Sequence, residues 1–148
     1  MVTRQERGYL SKHVVQLERT GCGIAAVAAI AGVSYRQAQR TANGLGIFAG
    51  DRRLWSETGH IRRLLREYCL RPASIERPFR SWNSLPNLAL LAVKWHYGQG
   101  RPYWHWVVFV RDHEGERVLD SKRLLKRHVR TDFGRMKPKW YIAVAKNR

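Results

Sequence analysis

The stretch Thr20-Gly21-Cys22-Gly23-Ile24-Ala25-Ala26-Val27-Ala28-Ala29-Ile30-Ala31 sets a cysteine at the head of an unbroken run of small apolar residues. The run predicts a buried helix with Cys22 at its N-terminus. Cysteine attacks as the thiolate, and the unpaired N–H groups and positive dipole end of a helix stabilise that anion. Cys22 is therefore a candidate nucleophile, and the flanking Gly21 and Gly23 are expected to let a substrate carbonyl approach the sulfur closely. Two plainer readings compete. Cysteine is among the most often buried residue types, so a thiol in an Ala-rich helix is ordinarily core. Basic residues ahead of an Ala-rich run also resemble a secretory signal, but here the run begins only at Ile24 and follows the cysteine.

Working outward, Ser34-Tyr35-Arg36-Gln37 has the form of a capping box and opens a second helix that should stop near Asn43-Gly44. A third helix is expected from Glu57 to Leu70, with Ile61, Leu64, Leu65 and Tyr68 as its apolar stripe and Arg62, Arg63, Arg66 and Glu67 facing outward. Arg71-Pro72 should end it. Beyond Pro86 the pattern turns extended: Leu88 to Trp95, Tyr103 to Arg111, Glu116 to Asp120 and Trp140 to Ala145 are expected strands, the second and third joined by a turn at Asp112-His113-Glu114-Gly115. Helices followed by an antiparallel meander predict an α+β fold.

The 148 residues fit one domain, 1–148, with no Pro/Gly/Ser stretch long enough for a linker. No apolar run reaches membrane-spanning length. Two cysteines, Cys22 and Cys69, argue against a disulfide scaffold, although one bridge between them would silence the thiol; Cys69, late in an amphipathic helix, is expected to be buried and inert. Neither a metal nor an organic cofactor is expected. The 28 Lys and Arg against 11 Asp and Glu give a net charge of +17, spread through the chain rather than gathered in a tail. Such a field attracts polyanions: nucleic acid, anionic lipid, acidic wall polymer or acidic protein. With no recognisable signal, the expected location is cytoplasmic, or outside by a signal-independent route.

A thiol nucleophile needs a base. Of His13, His60, His96, His105, His113 and His128, the best placed is His105, in the strongly β-forming run Trp104-His105-Trp106-Val107-Val108-Phe109-Val110. His96 is its competitor; His113 falls in the turn, and His60 and His128, amid arginines, are expected at the solvated surface. If the turn pairs Arg111 with Glu116, cross-strand partners have numbers summing to 227. Asp120 then lies opposite Val107, diagonal to His105 on the same face, where a carboxylate can orient the imidazole and favour its charged form. A slip of one residue would separate the two. Gln16, six residues before Cys22, is the candidate side-chain donor for an oxyanion, beside the Cys22 backbone N–H. Trp95, Tyr97, Tyr103, Trp104 and Trp106 cluster near His105, some as groove and most as core.

Gln16, the Gly-Cys-Gly-Ile-Ala-Ala helix start, His105 ahead of an apolar strand and Val118-Leu119-Asp120 after a hairpin together resemble the papain-like cysteine peptidases, in particular the branch that processes bacteriocin leaders. The resemblance runs from about Gln16 to Ala145. It implies a papain-like fold, a Cys22 nucleophile, a His105 base, an orienting Asp120 and Gln16 in the oxyanion hole, acting on a peptide or protein substrate. Members of that branch usually carry Asp immediately before the nucleophile, whereas this chain has Gly21, so the substrate stays open. The same apparatus could deamidate or transamidate glutamine, or cut peptidoglycan amides. A different class of reading is a basic nucleic-acid-binding module on a catalytically silent scaffold of the same type.

Overall fold

The computed structural model describes residues 12–146. Helix α1 spans Cys22–Ala31, and eight of its ten residues are buried, as a helix apolar on all sides must be. It stops at Gly32, whose φ of 75° gives the left-handed cap that a β-carbon would disfavour. Helix α2 spans Tyr35–Gly44 and starts as expected: the Ser34 hydroxyl accepts a hydrogen bond from the Gln37 N–H at 3.1 Å. Its apolar face, Tyr35, Ala38 and Ala42, is buried.

Helix α3 is shorter than expected, Gly59–Glu67. A one-turn 3-10 helix at Arg52–Leu54 takes the chain up to it. At its far end Cys69 adopts φ 59°, which breaks the helix, and Leu70 leaves to pair with Lys146. Two expectations fail here. Cys69 is exposed and free, as Cys22 is also free. Arg62 does not face outward; it is buried, donates to the Ala73 carbonyl at 2.8 Å, and bonds Thr58 and Glu76, stapling α3 to the segment that follows it. The guanidinium is tolerated inside because it has partners.

The described strands are β1 (Leu70–Pro72), β2 (Arg77–Pro78), β3 (Leu88–Gly98), β4 (Arg101–Asp112), β5 (Gly115–Leu119), β6 (Val129–Arg130) and β7 (Trp140–Lys146). They form an antiparallel sheet in the order β1-β7-β3-β4-β5-β6, with β2 also on β7. The fold is α+β. Strands β3 and β4 run on past their expected ends into a tight hairpin at Gln99-Gly100, where φ values of 53° and 79° are those of a two-residue turn that matches strand twist. β4 and β5 pair Arg111 with Glu116 and Val108 with Leu119, the expected register.

The sheet is covered on both sides, which is why β3 and β4 are apolar without alternation over their middles. Residues Leu88, Leu90, Trp106, Val108, Val110 and Ile142 meet the helices. On the other face Ala89, Leu91, Val107, Phe109 and Val118 are sealed by Trp82, Phe133 and Met136 from the loops. Phe109 is fully buried and packs against Trp82 at 6.0 Å between ring centroids. Phe109→Ala should lower the unfolding free energy by about 3–5 kcal/mol in urea titrations, because the loops cannot collapse into the void.

Candidate active site

The first turn of an α-helix has no intrahelical acceptors for its N–H groups, and no side chain caps α1. Cys22 is therefore held half-buried at a helix start whose amides point outward. The two flanking glycines have a packing role beyond the one the sequence suggests. A β-carbon on Gly21 would sit 2.1 Å from the Tyr35 hydroxyl, and one on Gly23 would sit 2.6 Å from Ile61 Cδ1 and 3.2 Å from Trp106 Cδ1. They let α2, α3 and β4 close on the helix head, and Gly23 also lines the cavity beside Cys22.

His105 projects from β4 and meets Asp120, which follows β5, with Nε2 2.7 Å from Oδ1. An ionised carboxylate only accepts hydrogen bonds, so Nε2 carries the proton. Cys22 is the other group that favours the charged ring, and Nδ1 is the ring nitrogen that Asp120 leaves open. Burial opposes charging of this imidazole, but Asp120 and Cys22 prevail and hold it up at about 9. Asp120 is 2% exposed. Burial would raise its pKa, yet the His105 bond, the Lys122 N–H at 3.1 Å and the Arg130 guanidinium on Oδ2 at 3.0 Å bring it to about 2.

Gln16 is buried close by, and the protein's own groups engage its amide. Both N–H bonds are engaged, with the carbonyls of Glu18 at 3.0 Å and Arg19 at 2.8 Å, while Oε1 accepts from the Ser121 hydroxyl at 2.9 Å. The backbone repeats the link, Gln16 N–H to the Ser121 carbonyl at 3.0 Å. Gln16 thus braces the Glu18–Thr20 loop that leads into Cys22. Glu18 is held in turn by the Tyr35 hydroxyl, whose pKa is pushed up by burial and by that carboxylate.

Cys22 and His105 open into a cavity of about 250 Å³ whose opposite wall is Ile47, Phe48, Ala49, Leu54 and Trp55. The Ala49 carbonyl ties the rim together, accepting from Thr20 Oγ1 at 2.6 Å and Trp55 Nε1 at 2.9 Å. Tyr103, Trp104 and Trp106 line the cavity; Trp95 and Tyr97 do not. Trp104 and Trp106 stack edge-on with Trp140 at 4.9 and 5.3 Å, which fixes their rings. Two buried polar atoms in cavity-lining residues lack partners, His60 Nδ1 and Trp104 Nε1.

His60 was expected on the solvated surface; instead it is half-buried here, and burial lowers its pKa. His128 is likewise half-buried, bonding the Asp120 carbonyl through Nδ1 at 2.9 Å and stacking on His13. His96 is exposed and bonds the Lys94 carbonyl. Sequence reasoning missed Arg130, Ser121 and His60. For Arg130 no local signal existed, since it reaches Asp120 only through the two-residue pairing of β6 with β5. Among the described residues no group of three or more His, Cys, Asp or Glu could hold a metal ion, and no helix is long and apolar enough to cross a membrane. Neither a protein-family model nor a curated protein matches the chain.

Two predictions follow from these bonds. Gln16→Ala strands two loop carbonyls and the Ser121 hydroxyl, so it should cost about 1–3 kcal/mol in urea unfolding; an unchanged midpoint would mean the brace carries no stability. His105, raised above its ordinary 6.5 to about 9, contributes stability fully present below 6.5 and lost as pH rises through 9. Asp120, depressed from 3.8 to about 2, contributes above 3.8 and loses it as pH falls through 2. The stability difference between wild type and His105→Gln should accordingly be constant from pH 5 to about 6.5 and shrink toward pH 9.

Proposed function

We propose that the protein is a papain-like cysteine hydrolase that cleaves a peptide or amide bond through an acyl-enzyme. The observation that carries this reading is the 2.7 Å contact between His105 Nε2 and buried Asp120, with the same ring lining one apolar cavity with a cysteine at a helix start. The resemblance of the Gln16, Cys22, His105 and Asp120 order to papain-like peptidases supports it.

The Cys22 thiolate attacks the substrate carbonyl carbon, and the carbonyl π pair moves to oxygen. The N–H groups of Cys22 and Gly23 take that oxyanion, and Gln16 braces the loop that positions them. The imidazolium Nδ1–H protonates the leaving nitrogen as the C–N bond breaks, leaving a thioester on Cys22. Neutral His105 then takes a proton from water, hydroxide adds to the thioester, and the C–S bond breaks to return the thiolate. Asp120 keeps the proton on Nε2 and favours the charged ring throughout. Arg130 and the Lys122 N–H hold Asp120 in place. The same steps run on a glutamine side chain or a peptidoglycan amide.

The test is turnover of a peptide library, purified wall fragments and a glutamine-containing protein, together with labelling by a peptide-like electrophile. Cys22→Ala and His105→Ala should abolish turnover, and His96→Ala should leave most of it. Asp120→Asn should lower it ~10²–10⁴-fold with the fold intact. Because Cys69 is exposed, small alkylating agents should modify both thiols, whereas the peptide-like probe should label Cys22 alone. Equal probe labelling of Cys69, or no turnover of any of the three substrate classes, would sink the reading.

A further inference from the structure

On the side of the sheet away from α1, two clefts of about 490 and 430 Å³ share Arg130 and Arg135 in their walls. The first also presents Lys126 and Arg127, the second Lys94, Lys137 and Lys139. The one carboxylate in these walls, Asp132, is already held by the Arg130 fork at 2.8 and 3.0 Å. Among the described residues no carboxylate forms an ion pair with Lys94, Lys126, Arg127, Arg135, Lys137 or Lys139.

Cations with no counter-charge repel one another, and here the repulsion is built in. The Lys94 side chain lies beside that of Lys122, and this like-charged neighbour, with burial, lowers its pKa. Lys94 is held there by a bulge between Val93 and His96 and adopts φ 53°, left-handed backbone that a lysine takes up only at a cost. An anion placed between these groups removes the repulsion. At one end of the clefts the rings of Trp95 and Tyr97 meet edge-on at 4.8 Å; Lys139 covers Trp95, and Tyr97 is 69% exposed. A repeating row of cations ending at an open aromatic ring fits a chain of phosphates carrying bases. An acidic peptide would match the charges and leave the ring unused.

We infer that the paired clefts bind single-stranded nucleic acid, its phosphates along Lys94, Arg135, Lys137 and Lys139 and a base stacked on Tyr97. The clefts share no lining residue with the cavity at Cys22, and the Arg130 in their walls is already committed to Asp120 and Asp132.

The test is fluorescence anisotropy of labelled 12-nucleotide oligo(dT) with the full chain, over a salt titration, beside a labelled 12-residue oligoglutamate. Arg135→Glu/Lys137→Glu/Lys139→Glu should weaken oligo(dT) binding at least ~30-fold and lower the salt slope by about 2, given roughly 0.7 per phosphate contact on a single strand. A control with the same charge change on the helices, Arg36→Glu/Arg40→Glu/Arg66→Glu, should weaken it less than about threefold. Tyr97→Ala should weaken it by about fivefold or more. If the triple reversal unfolds the protein, Lys137→Gln/Lys139→Gln should still lower the slope by about 1.4. Equal losses in the two triple variants, oligoglutamate binding as tight as oligo(dT), no effect of Tyr97→Ala, or no oligo(dT) binding by the wild type would each overturn the inference.

Discussion

A carboxylate shut away from water must have its charge answered by fixed partners, and the site is organised around the one that is, Asp120. Its two oxygens take His105, the Lys122 N–H and Arg130, and its own backbone exchanges two bonds with His128. The next residue, Ser121, grips Gln16 through side chain and backbone, and Gln16 grips the loop ahead of Cys22. Two adjacent residues therefore fix both halves of the site, one locking the imidazole and the other locking the approach to the thiol. The distance between sulfur and ring is set by a hairpin end rather than by either helix or strand alone.

That hairpin end is also where the sequence was most legible. Once the Asp112–Gly115 turn was recognised, period-two alternation placed Asp120 on the His105 face, and the paired strands keep that register. The α1 helix and the α2 cap were legible for the same reason: each is a local rule with few competing solutions. What escaped were features decided by distant partners. β1 and β6 exist because β7 and β5 offer them edges, and Arg62 turns inward because Ala73 and Glu76 come back to meet it. Gln16 had the right spacing and a further task, since spacing says where a side chain sits and not which acceptors lie beside it. Cys69 carried an apolar context, but the backbone reversal at that residue left it outside.

The wall around the thiol carries little of the chain's positive charge. Arg19 is the one Lys or Arg in the cavity wall at Cys22, and the remainder of that wall is mostly aliphatic and aromatic. An apolar lining keeps the local dielectric low and strengthens the His105–Asp120 interaction. A crowd of surface cations beside it would instead discourage a charged ring.

Gly21 and Tyr35 have a bearing on descent as well as on packing. The tyrosine hydroxyl lies where a β-carbon at position 21 would have to go, and it also holds Glu18 in the loop that Gln16 braces. The two positions are therefore coupled. A homologue with a side chain immediately before its cysteine must either move the tyrosine matching 35 off that place or replace it, and with it the hold on the approach loop. A search for relatives keyed to this exclusion, glycine with tyrosine or a larger residue with a smaller one, would separate lineages that the cysteine, histidine and aspartate alone leave merged.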